Sequence, residues 1–164
     1  MALLLRIVTN PKWVRPDWMA PADVPADALS DLRATNNQLS VWSIELDKSN
    51  LKAVLVAAAS NRKRLDKLDY ALIDEQLLFA PAIKCAKSEG ITPHLSANSV
   101  MHRDLMELTV QKVASLAQII MPLERVRVTE KELRHMLLEA LKDGVLDRAR
   151  MARELLMDLE PSSL

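Results

Sequence analysis

Asn98-Ser-Val-Met-His-Arg-Asp-Leu-Met-Glu-Leu-Thr-Val-Gln-Lys-Val-Ala-Ser-Leu-Ala-Gln-Ile-Ile-Met121 is the stretch whose reading decides the fold. Projected at about 100° per residue, Asp104, Glu107, Gln111, Ser115 and Gln118 form a narrow polar stripe, while Leu105, Val110, Val113, Leu116, Ile119 and Ile120 fill most of the remaining circumference. The pattern predicts one central helix over 98–121, covered by protein on most sides. Asn98 or Ser99 supplies a capping oxygen at its start, and Pro122, which has no amide hydrogen, ends it after Met121.

Upstream of it the signals alternate between strand and helix. Ala2 to Thr9 is an apolar run closed by Asn10-Pro11 and reads as a core strand. Pro11, Pro16, Pro21 and Pro25 exclude a long helix before Pro25; a short one follows to about Arg33, with Asp23 as its cap. In Leu39 to Leu46 the set Trp42, Ile44 and Leu46 is wholly apolar, which predicts a strand with one face on a core. A helix from about Asn50 to Ala59 follows, capped by Asp47 or Ser49. Leu68 to Asp74 is open between strand and helix, and Tyr70 and Ile73 favour the strand. Pro81 to Glu89 reads as a short helix stopped by Gly90.

Downstream, Leu123 to Val128 is an edge strand or an extended linker. Thr129-Glu-Lys-Glu132 is a capping-box pattern opening a helix that ends at Asp143-Gly144, and a second helix runs from about Leu146 to Leu159. Their apolar stripes predict an antiparallel hairpin. The expected class is therefore α+β and helix-rich: a small sheet of two to four strands in the N-terminal half, packed on the central helix 98–121 and the C-terminal hairpin. The expected division is an α/β lobe over 1–97 and a helical lobe over 98–164, within one compact domain at this length.

Composition narrows the function. Lys plus Arg equals Asp plus Glu at 22 each, so no global field attracts nucleic acid or an anionic membrane. Only two glycines are present, too few for glycine-rich phosphate loops or a fold built on tight hairpins. The single Cys85 cannot form an intramolecular disulfide, and the chain reads as intracellular and cytoplasmic. The apolar start is interrupted by Arg6 and lacks a basic region ahead of it, unlike a signal peptide, and no window is apolar enough to span a bilayer.

Candidate sites are few. Lys12, Trp13, Arg15 and Trp18 lie in a proline-stiffened loop and combine the residue types that anchor protein interfaces; the same rings also suit a lid over the core beside Trp42. Arg62, Lys63, Arg64 and Lys67 form the strongest basic cluster, able to touch phosphates but equally suited to a solvated helix end. His102 and His94 are candidate general bases, with a packed structural histidine as the alternative. No zinc-ligand spacing occurs, and Cys85, between Lys84 and Lys87, lacks an assignable base. The C-terminal hairpin does not read as a DNA-binding helix-turn-helix, because Arg150 and Arg153 fall where apolar packing residues belong.

No catalytic, metal, cofactor or nucleotide motif emerges. The leading expectation is a non-enzymatic interaction or accessory protein, of the inhibitor, immunity or adaptor kind, that docks a protein partner or a second copy of itself as a homodimer. The alternatives are a nucleic-acid-associated module using 62–67 and a small enzyme using His102 or His94. The leading reading rests on 49% hydrophobic residues with eight methionines available for adaptable contacts.

Overall fold

The computed structural model describes residues 2–160; Met1 and residues 161–164, the end of the expected helical lobe, lie outside the described residues. The α+β class holds, but the small N-terminal sheet does not. Six strands form one sheet in the order β4-β5-β2-β1-β3-β6: β1 Leu3–Val8, β2 Leu39–Ile44, β3 Leu68–Asp74, β4 Lys84–Lys87, β5 His102–Met106 and β6 Arg125–Val128. Every neighbouring pair is antiparallel.

The expected single helix over 98–121 is not formed. Its place is taken by α2 (Leu95–Val100), strand β5 and α3 (Val110–Ile120). Two local features cut the helix. Glu107 adopts a left-handed φ of 54°, which right-handed helix cannot accommodate. Thr109 has extended backbone and accepts the Lys112 amide on its side chain, so it begins a helix rather than continuing one. Between them the sheet wins: residues 102–105 pair with Trp42 to Leu39, and 103–106 with Lys87 to Lys84. That pairing satisfies both edges of the β5 backbone, which outweighs an apparent helical phase carried by Asp104 and Glu107 alone.

The expected helix over 81–89 is also absent; its middle, residues 84–87, is β4. Gly90 does not cap a helix. It lets the backbone pass Asn98, where a Cβ built on Gly90 falls 2.6 Å from Asn98 Oδ1. Asn98 cannot retreat, because that oxygen accepts the Thr92 amide at 3.0 Å and the Thr92 hydroxyl at 2.7 Å, while its amide donates to the Thr92 carbonyl at 2.8 Å. Gly90→Ala is therefore expected to destabilise by about 1–3 kcal/mol, read from the denaturant midpoint; an unchanged midpoint contradicts the close approach.

Helices cover both faces of the sheet, so β2 buries both of its sides, whereas its sequence alone suggested one. On one face Leu5, Trp42, Ile44, Leu68 and Tyr70 pack beneath α1 (Leu51–Ser60), α4 (Glu130–Lys142) and α5 (Arg153–Leu159). On the other, Leu4, Val8, Val41, Ile73 and Leu105 pack beneath α3 and two 3₁₀ segments, Asn10–Trp13 and Ala26–Leu32. In α4 the capping box is complete: Thr129 Oγ1 accepts the Glu132 amide and Glu132 Oε2 accepts the Thr129 amide at 2.7 Å. The second helix of the expected hairpin is shorter than 146–159, because Asp147 bonds the Ala149 amide and opens a 3₁₀ turn before α5 begins.

Candidate functional site

Strand β4 is one border of the sheet. The Ser88 amide donates to the His102 carbonyl, so along this ladder the even-numbered residues 84, 86 and 88 bond inward to β5. The Ser43 amide bonds to the Met101 carbonyl, which independently sets the odd-numbered residues of β5 toward β2. By the same alternation the N–H and C=O of Cys85 and Lys87 point off the edge, away from the sheet. Such groups are a template for another extended chain.

Beside that edge lies an apolar groove of about 600 Å³, lined by Leu78, Phe79, Ile83, Cys85 and Met106 with Glu75 at its margin. Phe79, the only phenylalanine of the chain, is 73% exposed. A 3₁₀ turn over Glu75–Leu78 presents it, and Asp74 opens that turn by accepting the Gln76 amide. Burial, reinforced by Glu75, pushes the Cys85 thiol up to about 11. At neutral pH it is a protonated, apolar wall group and no nucleophile. Lys84 is held by Glu107 at 2.6 Å, and Lys87 extends into solvent.

The residues singled out in the sequence land elsewhere. Trp13 is completely buried, and its Nε1 donates to Asp31 at 2.8 Å, so the core-lid alternative describes it and a partner cannot reach it. Lys12 also binds Asp31, and Arg15 Nε donates to the Asp23 carbonyl at 2.8 Å. Trp18 alone of the four presents a large apolar surface, at 81% exposure. In the basic cluster Arg62 folds back on the Asp66 and Lys67 carbonyls, while Lys63, Arg64 and Lys67 are exposed, Arg64 lying 3.9 Å from Asp158.

The two histidines differ. His94 is buried and caps α2, its Nδ1 accepting the Ala97 amide at 3.3 Å, which is a structural task. His102 sits on β5 with its ring edge-on to Trp42, 4.9 Å between centroids, and Nδ1 at 2.8 Å from Ser88 Oγ. Burial holds its pKa below the ordinary value, with Asp104 opposing and Arg103 assisting that shift. Asp104 bonds Ser40 rather than the ring, so no acid orients His102 as a relay requires.

Sequence reasoning missed Phe79, Ile83 and the β4 edge. The available signal was Lys-Cys-Ala-Lys at 84–87: a short segment fenced by lysines is how exposed sheet edges are guarded. Among the described residues no helix is long and apolar enough to cross a membrane. No protein-family model matches the chain, and neither a curated protein nor a solved structure does.

Proposed function

We propose that this chain is a protein-interaction module whose β4 edge accepts an extended segment of a partner protein as a seventh strand. One observation carries this: the Cys85 and Lys87 backbone groups are directed off the sheet immediately beside an apolar groove of about 600 Å³. Only an extended backbone offers donors and acceptors at the repeat those groups set, and a groove on one side of the added strand selects apolar side chains at alternate positions. The opposite border, β6, carries Arg125 and Arg127, and Arg127 is tied to Asp69 at 2.7 Å.

Selection of displayed random peptides on the immobilised chain tests this. Enriched sequences should carry apolar residues at every second position, and Lys87→Pro should weaken them at least about tenfold. Because the Lys87 amide makes no bond to β5, proline there blocks the added strand without removing a ladder bond, and stability should change by less than about 0.5 kcal/mol. Failure to enrich any peptide, or equal binding to Lys87→Pro, overturns the reading. Light scattering on both proteins addresses the source of the segment: a dimer lost in Lys87→Pro identifies a second copy of this chain.

A further inference from the structure

The sheet is split where β1 meets β2. Pairing stops at Leu5↔Trp42, yet β1 continues to Val8 beside β3 and β2 extends back to Leu39 beside β5. Continued in register, Arg6 would face Val41, and the next pair to exchange backbone hydrogen bonds would be Ile7 with Ser40. The Arg6 side chain enters there instead. Its Nη1 donates to the Ser40 carbonyl at 2.7 Å, and Nε and Nη2 both donate to the Asp31 carbonyl. All three bonds end on uncharged oxygens, and the guanidinium has five donors, so capacity remains.

Arg6 is thus a half-buried cation without a carboxylate in contact. Burial draws its pKa down to about 10, against the more distant Asp31, and it stays charged at neutral pH. A partly desolvated charge with donors to spare and an accessible side gains from an arriving anion. A cleft of about 600 Å³ opens over the split, lined by Arg6, Arg33, Ser40, Glu89, His102 and Asp104. A smaller chamber of about 260 Å³ shares Arg6, Ser40 and His102 with it and reaches Ile7 and Trp42.

The charges are sorted by strand. Arg6 lies on β1 and Asp104 on β5, on opposite sides of β2, with Arg33 and Glu89 adding one charge of each sign. Two carboxylates disfavour a dianion such as phosphate, and two arginines disfavour a simple amine. A ligand carrying both charges satisfies both sides. We infer that this split holds a small zwitterion of the amino-acid class, its carboxylate toward Arg6 and Arg33 and its ammonium toward Asp104 and Glu89. The cleft volume suits a ligand of that size, and the neutral His102 ring adds one donor or acceptor according to its tautomer.

Titration calorimetry and thermal shift on the full 164-residue chain test this, with free amino acids, acetate, methylamine and inorganic phosphate as probes up to about 10 mM. At least one amino acid should bind at least about tenfold more tightly than acetate, methylamine or phosphate. Asp104→Asn and Arg33→Gln, both at the rim, should each weaken it at least about tenfold while leaving the melting temperature of the free protein within about 2 °C. Absence of binding by every amino acid, acetate or phosphate binding as well as the zwitterion, or indifference to both variants overturns the inference. Lys87→Pro should leave this binding unchanged, which separates the cleft from the β4 edge.

Discussion

Trp13→Ala is expected to destabilise the protein by about 3–5 kcal/mol, whereas Trp18→Ala, five residues on in the same loop, should change stability by less than about 0.5 kcal/mol. The contrast follows from burial: Trp13 is 0% exposed and belongs to the cluster with Leu4, Val8, Ala28 and Leu32, while Trp18 is 81% exposed. Removing the indole leaves a void under the 3₁₀ segments that close this face of the sheet. Trp13→Phe keeps most of the volume but removes the donor to Asp31, and should cost about 1–2 kcal/mol. Denaturant unfolding of the three variants decides this. Equal effects at 13 and 18 contradict the assignment of Trp13 to the core.

Asp31→Ala is the second large effect, at about 3–4 kcal/mol. One buried carboxylate accepts the Thr9 amide at 2.6 Å, the Thr9 hydroxyl at 2.9 Å, Trp13 Nε1 at 2.8 Å and Lys12 Nζ at 3.1 Å. It joins the end of β1 to both 3₁₀ segments. Alanine leaves the buried indole N–H without an acceptor and withdraws the nearest negative charge from Arg6. Because Trp13 and Asp31 are direct partners, the double variant should lose less than the sum of the single ones. Burial pushes the Asp31 pKa up, but the hydrogen bonds from Thr9, Trp13 and Lys12 outweigh it and leave the group below its ordinary value of 3.8. A folded-state pKa below the unfolded one means that this contribution is complete above pH 3.8 and is lost as pH falls through the folded value. As pH falls below 3.8, wild type should lose more stability than Asp31→Asn, which cannot titrate. Parallel curves for the two proteins refute the network.

Elements with a complete local signal were legible in the sequence. The Thr129–Glu132 capping box, the stop at Gly144 with φ 70°, and the β-branched and aromatic character of 68–74 all correspond to elements of the structure. Legibility fails where distant pairing decides. His102 to Met106 shares its phase with the true helix at 110–120, and only Trp42 and Leu39 on one side and Lys84 to Lys87 on the other make it a strand. The sheet edge was hidden for a related reason. Four residues, three of them exposed and two charged, carry no apolar periodicity, and their openness is a property of register that no single segment contains. Trp13 and Trp18 are indistinguishable in sequence because the groups that hold one of them, the Asp31 acceptor and the cluster with Leu4, Val8, Ala28 and Leu32, lie in other segments.

Residue-resolved amide hydrogen exchange along 84–88, in the free protein and with a peptide selected on it, tests the strand-acceptor role most directly. In the free protein Cys85 and Lys87 should exchange near the rate of unstructured amides while Ala86 and Ser88 are slowed, and the bound peptide should slow Cys85 and Lys87 at least about tenfold. Protection of Cys85 and Lys87 before any peptide is added, or their continued rapid exchange once it is bound, contradicts an open edge that receives a seventh strand.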